Sequence, residues 1–308
     1  MSNHLALTDP TKKLLVITDL EADDYFALFM LIKAAKGRIT IIVSCWDDPA
    51  KKADILHKLL ENLRVVIPVY VGLPSKKHYD LEKLGTMLNL YMDYTTHTPQ
   101  CDYGDHLIRD ADIIISLAPP RELITLFREV PTAMHGKKAA FYGSFNFRSL
   151  IKEGFTTADE AGAMVKSFEQ VVWYETFAAR GQDNTIADNA VLETIMAQFP
   201  AMNAITNWWN GAILDECNAE KPPSELDLKI IASITASPNQ MVDADCGLVS
   251  YLLHGNPFMR CDPVDVVPSD RFTTFVDNPS SHVGVVRTSP EYYIASRAHT
   301  YAYYRRVV

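Results

Sequence analysis

Apolar residues in this chain fall into short unbroken runs, with longer stretches between them in which they recur at helical spacing. Leu14–Asp19, Ile39–Cys45, Val65–Val71, Asp112–Leu117 and Lys138–Tyr142 have the β-branched, uninterrupted character of strands buried on both faces. Tyr25–Lys36, Pro49–Asn62 and Arg121–Arg128 read as the helices between them. Such an alternation predicts an α/β fold built on a mainly parallel open sheet with helices on both faces. Later in the chain, helices are expected near Thr157–Val165, Ala187–Gln198, Leu226–Ala236 and Cys246–Leu253, and strands near Phe168–Thr176 and Val283–Arg287. There is no internal repeat and no Gly/Ser/Pro-rich linker. A single domain over 1–308 is therefore expected, with long insertions at Lys76–Asp110 and Ala201–Pro223.

The first strand delivers its chain into an unusual turn. Asp19, Glu21, Asp23 and Asp24 place four carboxylates within six residues, and an apolar stretch free of glycine and proline follows from Tyr25 to Ala35. Open α/β sheets place ligands at such strand-to-helix turns. Like charges packed there repel and lose hydration, so a positive group should compensate, and a bound divalent cation is the economical candidate.

Composition narrows the partners. With 29 basic against 38 acidic residues and a net charge of −9, the chain does not suit a partner held through phosphates, and no nucleic acid is expected. No apolar run reaches the length of a membrane span, and Met1–Asp9 is too polar for a signal peptide, so no membrane partner is expected. Five scattered cysteines without a Cys-x-x-Cys pair read as reduced thiols of a cytoplasmic protein.

The acidic turn resembles the amino-terminal signature of the calcium-dependent nucleoside hydrolases, Asp-x-Asp-Pro-Gly-x-Asp-Asp followed by an apolar helix. Laying one on the other puts Asp19 on the second aspartate and Asp23 and Asp24 on the closing pair. Ile17 stands at the first aspartate, and Leu20 and Glu21 replace Pro-Gly. A second piece, Ile113 to Leu123, resembles the family's strand, Thr-Gly-Pro turn and helix. The metal-binding carbonyl of that turn falls on Leu117. A third, Val242 to Leu253, resembles the family's His-Asp pair opening a helix, with Asp245 on the metal-binding aspartate. The resemblance implies one Ca2+ held by Asp19, Asp24, Asp245 and the Leu117 carbonyl, with waters or sugar hydroxyls completing about six to eight oxygens. Each residue also has an ordinary use, since Asp is a favoured N-cap and a helix start favours carboxylates.

The implied reaction is calcium-dependent hydrolysis of the N-glycosidic bond of a ribonucleoside or a related small-molecule ribosyl substrate. Asp19 would act as general base and Asp23 would hold a ribose hydroxyl, around an oxocarbenium-like transition state. Asn146 and Glu175 are the nearest offerings for further substrate contacts, and Trp208 offers an aromatic face for a base, although core packing is the commoner use of such a ring. The resemblance also implies a homodimer or homotetramer.

Several expected residues are missing, among them the family's later Glu-Phe-Asn segment, which has no clear counterpart. The histidine that protonates the departing base falls on Ala244, and a sugar-binding asparagine falls on Cys45. Asp243, Tyr251, His97 and His106 are the alternative acids. A catalytically silent relative that binds a ligand or another protein is therefore the alternative. A metal-dependent exonuclease is a further one, because Asp19-Leu20-Glu21 resembles that group's opening Asp-x-Glu.

Overall fold

The computed structural model describes residues 9–20, 22–35, 37–44, 49–62, 64–73, 102–175, 245–270 and 273–287, with positions 5, 7, 296 and 299. Among the described residues, nine strands form one sheet: β1 (Leu14–Thr18), β2 (Ile39–Val43), β3 (Val69–Val71), β4 (Ile113–Ser116), β5 (Lys138–Tyr142), β6 (Gln170–Glu175), β7 (Arg260–Val267), β8 (Thr274–Asp277) and β9 (Val283–Arg287). Their spatial order is β3-β2-β1-β4-β5-β6-β9-β7-β8. Pairing is parallel from β3 through to β9, and β7 and β8 add an antiparallel edge. The expected mainly parallel α/β sheet is thus present.

Every residue of β1 is buried. That explains its unbroken apolar sequence, because alternate side chains face opposite layers and both layers are covered. Leu14 and Val16 enter the core shared with α1 (Ala22–Ala35), α2 (Pro49–Asn62) and α7 (Asp245–His254). Leu15 and Ile17 enter the opposite core, shared with α4 (Arg121–Glu129), α5 (Ser144–Lys152) and α6 (Ala158–Lys166). Among the described residues, α3 (Asp105–Asp110) and a 3-10 helix, Pro131–Met134, complete the helices.

Three departures from the sequence reading have local causes. The third strand is only Val69–Val71, because the segment before it turns through Arg64 at φ 54, leaves Val66 95% exposed and carries Pro68, which has no N–H to donate. Pro263 hides β7 in the same way; it pairs with Gly284 of β9 just before Val264–Val267 pair with β8. Helix α5 was not expected; it buries Phe147 and Leu150, three apart, in nine residues. The Lys76–Asp110 insertion ends in α3, after Asp102 bridges Val71. Ala201–Pro223 and the expected helices Ala187–Gln198 and Leu226–Ala236 lie outside the described residues.

Candidate functional site

The order 3-2-1-4-5 reverses between β1 and β4: the chain leaves β1 toward β2 on one side, and from β4 it proceeds to β5 on the other. At such a switch point the connections diverge and open a crevice beyond the carboxyl ends of the two strands. Pairing Ile17 with Ser116 sets Asp19 and Leu117 just past that edge on neighbouring strands.

The β1 exit is built around Thr18. Its hydroxyl, fully buried, donates to Asp24 Oδ1 and accepts the backbone N–H of Leu20 at 3.1 Å. This hydroxyl ties the turn to the first turn of α1, and Asp24 is 1% exposed as a result. Leu20 adopts φ 51 and buries its side chain. Proline is locked near φ −65° and cannot take that conformation. The turn is therefore shaped differently from an Asp-Pro-Gly turn. Asp19 itself is partly exposed, and its carbonyl oxygen accepts a hydrogen bond from Lys52 Nζ at 2.7 Å. Lys52 comes from the first turn of α2 and is 2% exposed.

The β4 exit is stiffened by its own polar contacts. Ser116 Oγ donates to the Ala118 carbonyl at 2.7 Å across the proline turn. Asn146 lies in the first turn of α5, 4% exposed, and its Nδ2 donates to the carbonyls of Leu117 at 2.7 Å and Tyr142 at 3.0 Å. Asn146 thus fixes the Leu117 carbonyl, with both amide hydrogens spent on the protein.

Behind that edge, Glu122 opens α4 wholly buried, and its Oε1 accepts the Leu73 N–H at 2.7 Å. Burial pushes its carboxyl above the usual range, against the smaller opposite pull of the Leu73 N–H and of Arg121. Arg121 is directed instead at Glu153, 2.5 Å away, and over the ring of Phe155.

Asp245 begins α7, 3% exposed, and α7 packs against α1. Two buried aspartates therefore open two helices in mutual contact. Among the alternative acids, Tyr251 is buried, and burial and the neighbouring Cys261 push its phenol up, which makes it a poor donor at neutral pH. His106 is exposed on α3. Asp23 lies in α1 and Glu175 ends β6, but the side chains of both lie outside the description, as do Cys45, His97, Trp208, Asp243 and Ala244 altogether.

A search of solved structures finds similarity over nearly the whole chain. The inosine-uridine preferring nucleoside hydrolase from Bacillus anthracis matches with a TM-score of 0.53 and 10% identity, covering 94% of this chain and 99% of that one. The fold is nucleoside hydrolase-like. No protein-family model matches the sequence, and no curated protein matches it either. Asp19, Asp24, Asp245 and the Leu117 carbonyl offer oxygens of the kind that calcium takes. Among the described residues, no group of three or more His, Cys, Asp or Glu side chains is gathered closely enough to hold a metal ion. Among them too, no helix is long and apolar enough to cross a membrane.

Two features of the site were not anticipated from sequence. Lys52 sits in a polar-looking helical stretch, Pro49-Ala50-Lys51-Lys52, with nothing to single it out from Lys51. Thr18 reads as the last residue of an apolar strand, and only the preference of threonine for local turns hints at its hydroxyl contacts.

Proposed function

We propose that this protein hydrolyses the N-glycosidic bond of a ribosyl compound in a calcium-dependent reaction at the β1–β4 crevice. What supports this reading is the position of the acidic turn: it occupies the switch point of a nucleoside hydrolase-like sheet, where the fold class binds small molecules. Asp19, partly exposed at that edge, takes the proton of the attacking water. Asp23 holds a ribose hydroxyl. The fixed negative charge of the turn stabilises the positive charge that develops on the sugar. Asp19, Asp24, Asp245 and the Leu117 carbonyl are the residues that would hold the calcium ion, whose chemistry is to acidify a water and orient vicinal hydroxyls. The three carboxylates are not drawn together in this structure, so binding would have to gather them. Asn146 acts in support, by fixing the Leu117 carbonyl.

Position 244 is alanine and cannot protonate a leaving base, so leaving-group chemistry sets the rate. A p-nitrophenyl riboside or a riboside of a cationic base turns over much faster than inosine, because neither needs the ~10²–10⁴-fold contribution of a general acid. A panel of ribosides assayed with and without chelator tests this, and Asp19→Ala lowers turnover by ~10²–10⁴-fold. A preference for inosine would reveal an acid elsewhere.

The second reading is a catalytically silent relative. Asn146 favours it, since its amide hydrogens are bonded to main-chain carbonyls where a sugar contact was expected. Absence of chelator-sensitive turnover on every riboside would select it. We further propose a cytoplasmic homodimer or homotetramer, which light scattering tests against the 34.6 kDa of one chain.

A further inference from the structure

One peptide group at the β1 exit is held at both ends. The Asp19–Leu20 peptide accepts a hydrogen bond from Lys52 Nζ at its carbonyl oxygen, at 2.7 Å, and donates its N–H to the Thr18 hydroxyl, at 3.1 Å. Lys52 is 2% exposed and Thr18 fully buried, so both bonds are made by side chains shielded from water. The main chain just before that peptide is fixed too, since the Thr18 carbonyl accepts the Ser44 N–H at 2.8 Å. The residue that follows needs such a hold. Leu20 stands at φ 51, a left-handed conformation that is costly for a residue with a Cβ and persists only where the surroundings enforce it. The first turn of α2 brings Lys52 there, after the neighbouring strand β2.

We infer that Lys52 is a positioning residue: by gripping the Asp19 carbonyl it fixes the peptide beside which the Asp19 side chain leaves the main chain, and so sets where the base stands. The inference rests on Asp19 being the general base proposed above, and it needs no metal. Without the ammonium, the Asp19–Leu20 peptide loses the anchor at its carbonyl end and can turn about its N–H bond to Thr18. The left-handed residue beside it then has one restraint fewer. A base misplaced by about an ångström costs turnover far more than it costs binding, because proton transfer depends steeply on geometry.

Lys52→Met removes the donor and keeps most of the apolar volume, while Lys52→Arg keeps a cationic donor. Lys52→Gln, whose amide falls short of the same place, repeats the comparison with a polar side chain. Kinetics of the full chain on p-nitrophenyl riboside are measured beside amide hydrogen exchange, with rates referred to the folded fraction given by urea denaturation. Lys52→Met is expected to lower kcat by about tenfold or more with KM within about twofold of wild type. Exchange should quicken within residues 19–24 and stay as in wild type at the β4 exit, 117–120. Lys52→Gln should show the same pattern, and Lys52→Arg should recover most of both losses. A wild-type kcat in Lys52→Met and Lys52→Gln would overturn the inference and leave the hydrolase reading standing. So would exchange that rises equally at both exits, or a folded Lys52→Arg no more active than Lys52→Met. No turnover by wild type on any riboside would overturn the hydrolase reading and the positioning role together.

Discussion

Two adjacent parallel strands, β1 and β4, each hand the chain to a helix whose first turn buries an acidic residue, and the two acids are treated in opposite ways. Asp24, after β1, meets a hydroxyl from Thr18, in a turn whose main chain is also bound by the Lys52 Nζ. Glu122, after β4, accepts the Leu73 N–H and lies beside Gly72 in the sheet's interior, while its neighbour Arg121 pairs with Glu153. The first environment is supplied with polar donors and a cation. The second has donors too, but complete burial outweighs them and pushes the carboxyl upward. The lesson is that burial alone does not mark a functional acid. What distinguishes the candidate site from a structural brace a strand away is the nature of the groups that meet the carboxyl.

The contrast breaks most easily at Gly72. A Cβ there would lie 2.4 Å from Glu122 Oε1, 2.8 Å from Ile42 Cγ2 and 3.0 Å from the Val43 carbonyl oxygen. Gly72→Ala should therefore cost about 3 kcal/mol, read as a lower urea midpoint at unchanged slope. A loss below about 1 kcal/mol would mean that Glu122 swings aside freely and is no brace. Thr18→Val tests the other exit. It removes the hydroxyl from both Asp24 and the Leu20 N–H, for about 2 kcal/mol, and Thr18→Ser should recover most of it.

Glu122→Gln sharpens the comparison through pH. Because the folded carboxyl titrates above its ordinary 4.5, the unfolded chain ionises first. Wild-type stability thus carries a contribution that is whole below that value and is lost as pH rises through the folded one. Denaturant midpoints across this range should fall less steeply for Glu122→Gln, and an unchanged slope would contradict a neutral Glu122. The smallest effect belongs to Arg128→Ala, which breaks a largely solvated pair with Glu160 at 2.6 Å. Its cost should stay under about 1 kcal/mol and shrink in high salt.

The parallel half of the fold was legible because strands covered on both faces are largely apolar, as β1, β2, β4 and β5 are but for Thr18, Thr40, Ser116 and Lys138. The antiparallel strands were not, since Pro263 argues against a strand in sequence. At the site, Asp19, Asp24, Asp245 and Leu117 were readable as strand exits and helix starts. The partners that give them meaning were not. Lys52 lies 33 residues from Asp19, and Asn146 lies 29 from Leu117. No local pattern encodes contacts over such separations. The carboxylates of the turn were readable in sequence, but the lysine that the next strand's helix brings to its main chain was not.

Leu20 carries a consequence for how sequences can travel. Its backbone at φ 51 is closed to proline, and its side chain fills a buried place that a pyrrolidine ring would not fill in the same way. Leu20→Pro alone is thus refused by the fold that surrounds it. Passage between this turn and an Asp-Pro-Gly turn needs the main chain and its packing to change in one step. The two turns are separate islands in sequence space, reached from one another by a jump and not by a walk of tolerated single exchanges.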